Sequence, residues 1–158
     1  MLKFFLLIKK FFKARWVFQK PKQKKFIIYD FVNSNVIFKY IKKTQSAIYY
    51  TRWEEINFFI LFYVIFNYGL KDIKKNYKKF FFIFVNPKIV ITLTSSQVSF
   101  YKLKNQFPNI TTISIQNNLG DEDFIKLLKN EKKNSLSCDY FFFFSYSFRR
   151  MHEKYILV

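Results

Sequence analysis

Five short, almost uninterrupted apolar runs recur along the chain, with helix-patterned segments between them. They are Phe26 to Phe31 (FIIYDF), Ala47 to Thr51 (AIYYT), Lys88 to Leu93 (KIVITL), Ile110 to Ile115 (ITTISI) and Asp139 to Phe144 (DYFFFF). Runs of this length read as strands buried on both faces. Between the first two, Val36, Ile37, Tyr40 and Ile41 recur at helical spacing, after Asn33 and Ser34 as candidate caps. A helix from about Glu54 to Tyr68 follows the second strand, and Gly69 is placed to end it. Lys71 to Lys79 is a basic helical stretch or a loop. Ser95 and Ser96 offer a cap for a helix lined by Val98, Tyr101, Leu103 and Phe107. Asp121, Glu122 and Asp123 open another, where negative charge suits the helix dipole. Tyr146 to Tyr155 closes the chain as a helix. Such alternation predicts an α/β fold with a parallel sheet and right-handed crossovers.

At 158 residues the chain has the length of one domain. Hydrophobic types form 51% of it and aromatics 23%, enough apolar surface to offset chain entropy, so disorder throughout is excluded. The enriched types (Phe, Lys, Ile, Asn, Tyr) have A/T-rich codons, and the scarce ones (Gly, Ala, Pro, Arg) G/C-rich codons. That skew implies an A/T-rich, organellar genome. In such a chain Phe can stand where Leu would serve, and Lys where Arg would be better chemistry.

The net charge of +18 points to a polyanionic partner, nucleic acid ahead of an anionic membrane surface. Residues 1–25 hold eight Lys and Arg15 with no acid, half of the net charge in a sixth of the chain. They read as a basic N-terminal extension, with residues 26–158 as a single α/β domain. Trp16 and Phe18 among these cations suit RNA, where cations meet phosphates and rings stack on unpaired bases. The extension is expected to lie along RNA outside the sheet. The competing expectation makes Phe4 to Ile8 a first strand.

The longest apolar run, Ile56 to Tyr68, has 13 residues including two Asn. A spanning helix needs about 20 apolar residues, so no membrane insertion is expected. Met1 to Phe18 lacks the small-residue cleavage site of a signal peptide. One Cys and one His exclude a disulfide framework and a Cys/His zinc site within the chain. The strand–helix junctions FVNSN and LTSSQ lack the glycines that let backbone approach a pyrophosphate. His152 reads as a surface or RNA-contacting residue. Catalytic residues, cofactor, metal and small-molecule substrate are all expected to be absent.

Several segments resemble one family when taken in order. AIYYTRWEEINFF (47–59) resembles a segment of the universal small-subunit ribosomal protein S-two family. There, a strand is followed by Arg-Trp, a glycine-containing turn, and Asn-Phe opening a helix. Arg52, Trp53, Asn57 and Phe58 stand at those motif positions. KKFIIYDFVNSNVIFKYI is similar to the strand and helix before it, and NPKIVITL (86–93) to the family's Pro-Asp strand. YKLKNQFPNITTISIQNN (101–118) resembles the helix, Ile-Pro turn and strand ending in Asp-Thr-Asn. CDYFFFF with FRR (138–150) resembles the Asp-Tyr strand and closing helix. The likeness spans about residues 24–158. Glu54-Glu55 replace the family's glycines, Gln116 stands for its Asp, and its Pro-Ile-Pro-Gly run is lost to Phe. The protruding helical hairpin has shrunk to about Tyr68 to Phe80.

The resemblance implies a three-layer flavodoxin-like (Rossmann-like) fold with a five-stranded parallel sheet. It also implies a structural, non-enzymatic role in the small subunit of a mitochondrial ribosome. The implied partners are small-subunit ribosomal RNA between head and body and neighbouring ribosomal proteins, in the matrix. The expected RNA-contacting residues are Lys9, Lys10, Lys13, Arg15, Lys20, Lys22, Lys24, Lys25, Arg52, Arg149 and Arg150. Trp53 is expected in the core, and Arg52 reads equally as an ion-pair partner of an acid. The alternative is a small organelle-encoded subunit of a membrane respiratory complex, using the apolar runs as short or tilted spans. Carbonate extraction separates the two, because a spanning protein stays in the pellet.

Overall fold

A computed structural model describes residues 12–117, 122–132 and 135–158. Five parallel strands form the main sheet: β2 (Phe26–Tyr29), β3 (Ser46–Tyr49), β5 (Ile89–Thr92), β6 (Thr111–Ile115) and β7 (Tyr140–Phe142), in the order β3-β2-β5-β6-β7. Every neighbouring pair is parallel, with Ile27 opposite Ala47 on one side and Val90 on the other. The chain first steps from β2 out to β3, then returns past β2 and continues the other way. The order therefore reverses between β2 and β5. This is the expected α/β, flavodoxin-like arrangement.

Alternate residues of each strand face opposite sides of the sheet. Ile27, Tyr29 and Val90 join one large core. Helices α2 (Phe58–Tyr68), α3 (Ile73–Val85), α4 (Val98–Tyr101), α5 (Leu103–Gln106) and α6 (Glu122–Lys129) pack there. Tyr29 meets Tyr49 at 5.2 Å, Phe100 at 5.5 Å and Phe82 at 6.3 Å, so rings fill the space that aliphatics take elsewhere. Ile28, Ile91 and Leu93 face the other way, against Ile37, Phe38 and Ile41 of α1 (Ser34–Ile37) and the turn after it. The layers are unequal. Beyond the reach of α1, Tyr140 and Phe142 on the edge strand β7 are exposed.

The 98–107 segment, expected as one helix, is two. Tyr101 and Leu103 are both fully buried. Residues two apart point to opposite sides of a regular helix, so both reach the core only if the helix breaks, which it does at Lys102. The proposed serine caps are not used, because α4 begins after Gln97 without a side-chain cap. Asn33 likewise makes no cap bond; it adopts the left-handed conformation that Asn tolerates. Lys71 to Lys79 is mostly helix, the first half of α3.

The boundary expected at residue 25 needs correcting. β1 (Arg15–Val17) pairs in parallel with β4 (Glu55–Asn57), forming a second sheet of two strands. Ala14 is buried in the large core, and Trp16 packs against it. Residues 15–17 thus lie outside the main sheet, as expected, but they are part of the packed domain. The proposed Phe4 to Ile8 strand lies outside the described residues. The helix expected from Glu54 starts only at Phe58, because Trp53 at φ +69° turns the chain and Ile56 is drawn into the core as a strand residue.

Asn57 ties these parts together. Its side chain accepts from Ile60 N–H at 3.1 Å, capping α2, and donates to the Gln19 carbonyl at 2.8 Å. Its own backbone N–H donates to the Tyr77 hydroxyl of α3 at 2.8 Å. Gly69 ends α2 at φ +67°, as its position predicted.

At the carboxyl end of β2, Asp30 is 1% exposed and sits at φ +84°. Its carboxylate accepts from Thr51 Oγ1 (3.0 Å), Arg52 (3.3 Å), the Val32 N–H (3.3 Å) and Gln97 Nε2. Asp30→Ala strands these donors and leaves an alanine in a left-handed conformation. We expect a loss of about 2–4 kcal/mol in urea denaturation. Asp30→Asn keeps an acceptor and tolerates the backbone, so it should lose about half as much. Asn57→Ala should cost about 1–2 kcal/mol and speed amide exchange in β1.

Candidate nucleic-acid interface

Lys20 to Lys25 link the two sheets and run past the amino end of the main one. The Lys24 N–H donates to the Val85 carbonyl at 2.9 Å, and the Lys25 carbonyl accepts from Lys88 and Ile89. The backbone is thereby held while the side chains reach outward. Lys22 and Lys25 are exposed. Lys24 Nζ donates to the Thr44 carbonyl. Lys20 lies 5.9 Å over the Phe59 ring and Lys25 5.3 Å over Phe26. A cation over a ring face carries its charge at the surface with its stem covered.

Beside Lys20 stands a row of aromatic rings. Phe58, Phe62 and Phe66 are spaced by four along α2, stacked at 6.1 and 6.2 Å. Phe18 extends the row at 5.3 Å from Phe58. Phe62 is 60% and Phe66 81% exposed. Rings and ammonium groups side by side are what single-stranded nucleic acid uses, bases on the rings and phosphates on the cations. Sequence reasoning saw Trp16 and Phe18 here but missed Phe58, Phe62 and Phe66. Their spacing of four, within a run read simply as buried helix, was the available signal.

The other expected contacts are scattered. Lys13 is exposed, two residues before β1. Lys9 and Lys10 lie outside the described residues. Arg15 is paired with Glu55, which raises its pKa further. Arg52 is at the opposite end of the sheet from Lys20 to Lys25, with Asp30 as its ion-pair partner, and Lys74, Lys75 and Lys78 of α3 flank the same crevice. Trp53 is half-buried, 5.1 Å from Tyr77, and packs on the core as expected. Arg149 pairs with Glu153 at 2.6 Å and Arg150 lies 4.7 Å over Tyr146, both on α7 (Tyr146–His152). The structure therefore groups Lys20, Lys22, Lys24 and Lys25, and separates them from Arg52 and from the α7 arginines.

His152 is not a surface residue. It is 2% exposed, ringed by Phe124, Phe141 and Phe143 at 5.5–5.9 Å, with Nδ1 2.8 Å from the Phe148 carbonyl. In this A/T-rich composition it serves as one more core ring. Burial also pushes the Cys138 thiol up, away from the thiolate form. Among the described residues, no three His, Cys, Asp or Glu side chains gather to hold a metal, and no helix is long and apolar enough to cross a membrane. No family model, curated protein or solved structure matches this chain.

Burial lowers the His152 pKa, against a smaller upward pull from the Phe148 carbonyl. The unfolded chain then binds a proton that the folded chain resists. The stability contributed by neutral His152 is full above about pH 6.5, the unfolded value, and declines as pH falls below it. His152→Leu should flatten the fall in urea midpoint between about pH 7 and pH 5.

Proposed function

We propose that this protein is a structural constituent of the small subunit of a mitochondrial ribosome, a reduced member of the S-two family that binds small-subunit ribosomal RNA. One observation carries the reading: each resembling segment occupies the element that the resemblance implies, in a five-stranded parallel sheet of the implied order. Arg52-Trp53 follows β3, Asn57 caps the helix opened by Phe58, Pro87 precedes β5, and Asp139-Tyr140 enters β7 ahead of the helix bearing Arg149. Between α2 and β5 stands only α3, in keeping with a shrunken hairpin. The RNA strand runs along Lys20, Lys22, Lys24 and Lys25, with unpaired bases against Phe18, Phe58 and Phe62. Neighbouring ribosomal proteins cover the exposed apolar rings of β7.

Sucrose-gradient sedimentation of an organellar lysate tests the reading directly. The protein should travel with the small subunit and its RNA. Retention on membranes after a high-salt wash, with no ribosomal RNA, would overturn it and favour a respiratory-complex subunit. In binding to a single-stranded RNA, replacing Lys20, Lys22, Lys24 and Lys25 by Gln should weaken association. The log–log salt slope should become shallower by about 3, at about 0.7 per lost phosphate contact. The unfolding midpoint should barely move, since these side chains stand at the surface.

A further inference from the structure

The carboxyl ends of β2 and β3 open into a crevice of about 710 Å³. It lies beside the point where the strand order reverses, which is where open α/β sheets take their ligands. Its volume is within the range of small-molecule sites. Arg52 lines it from the loop after β3, and Lys74, Lys75 and Lys78 from α3. Asp72 is the one acid in the lining. The buried carboxylate of Asp30 behind it is taken up by Arg52, Thr51 and Gln97. The cavity therefore keeps an excess of positive charge.

That excess is not simply a solvated helix face. Lys74 and Lys78, four apart, lie on one side of α3, and Lys78 is half-buried. Burial, and next the ammonium groups of Lys102 and Lys74, lower the Lys78 pKa. Lys102 is itself bound to Glu131 at 2.7 Å. Among the described residues, no ion pair to Lys74, Lys75 or Lys78 accompanies these like charges. Ser99, on the rim, accepts from the Tyr29 hydroxyl at 3.0 Å and keeps its own proton to donate. A tetrahedral dianion or a phosphodiester offers the acceptor oxygens this set of donors lacks.

We propose that the crevice is a phosphate site, in which Lys74, Lys78 and Ser99 hold the phosphate of a nucleotide, free or within an RNA strand. It lies at the other end of the sheet from Lys20 to Lys25 and does not rest on the ribosomal reading. Here the lysines supply what glycine-loop amides supply in dinucleotide-binding folds, which is why no glycine fingerprint accompanies it.

The test titrates the full-length chain with inorganic phosphate, uridine monophosphate and a uridine decamer, following the thermal midpoint and the Kd by calorimetry. The wild-type chain should be stabilised by at least one probe. The double variant Lys74→Gln/Lys78→Gln should bind that probe at least tenfold more weakly. A control, Lys39→Gln/Lys42→Gln, removes the same charge at exposed positions far along the chain and should bind as wild type does. Circular dichroism of both variants verifies the fold. A response to phosphate and the mononucleotide assigns a free phosphorylated ligand; a response to the decamer alone assigns a strand phosphate. No response of the wild type to any probe, or equal losses in both double variants, overturns the site. Either result leaves the sedimentation experiment unaffected, so the two readings fail separately.

Discussion

The Asp30 carboxylate is the joint on which the carboxyl end of the sheet depends. It is buried where β2 ends and bound from three directions: Thr51 and Arg52 after β3, Gln97 after β5, and its own loop through Val32. A buried carboxylate is tolerable only when its lone pairs are met. Meeting them fixes three loops that no glycine or proline would otherwise hold in place. The cost is a backbone at φ +84°, and Asp is among the few residues that bear such a conformation. Because Arg52 is recruited to this role, its guanidinium enters the crevice in a set position, half of it exposed for further contact.

Aromatic packing sets a second constraint. Phe and Tyr are wide and stiff, so a core built from them leaves less freedom than one of Leu and Ile. Tyr29, Tyr49, Tyr77 and Tyr101 are buried, and each of these hydroxyls needs a partner or pays desolvation. Tyr101 reaches the Ser95 carbonyl and Ser114, Tyr29 reaches Ser99, and Tyr77 takes the Asn57 N–H. These bonds orient the loops after β5 and the start of α2. Burial accordingly pushes the Tyr29 phenol up to about 12, so it stays a neutral donor at any physiological pH. On the thinner side of the sheet no such network forms, and Ile113, Ile115 and the β7 rings are left partly open.

The sheet was legible in the sequence because continuous apolar runs of strand length have few other uses. The strand bounds shortened by a residue or two at each end, as terminal residues lost their ladder partners. What stayed hidden depended on contacts between distant residues. Nothing local in Arg15 to Val17 marks a strand; it becomes one because Glu55 to Asn57 is presented beside it. Nothing local in Glu55 to Asn57 argues against helix either, until Trp53 reverses the chain. His152 was misread for a similar reason. Its neighbours Arg149, Arg150 and Glu153 are charged, and only the fold brings Phe124, Phe141 and Phe143 around it. Of the eleven cations singled out, four came together, the run Lys20 to Lys25, where proximity in sequence already guaranteed proximity in space. The lysines of α3 carried a weaker signal: a spacing of four becomes meaningful only once the helix faces a cavity.

The charge distribution follows from these two constraints acting together. An aromatic core presents no sites for ions, and ten acids are too few to neutralise twenty-eight cations. Most acids that the structure describes are spent on pairs that hold elements together: Asp30 with Arg52, Glu55 with Arg15, Glu131 with Lys102, Asp139 with Lys104, Glu153 with Arg149. The structural pairs therefore consume every one of the four arginines but Arg150, which rests on Tyr146. Lysines are left to form the outer field, at the amino end between the sheets and along α3. Lysine acts as a point charge on a flexible stem, without the fork that reads a planar partner. A surface so made attracts phosphate wherever it is presented and imposes little sequence preference of its own. What selectivity it has must come from the shapes next to the charges: the row of phenylalanine rings beside Lys20 and the walls of the crevice beneath Lys78.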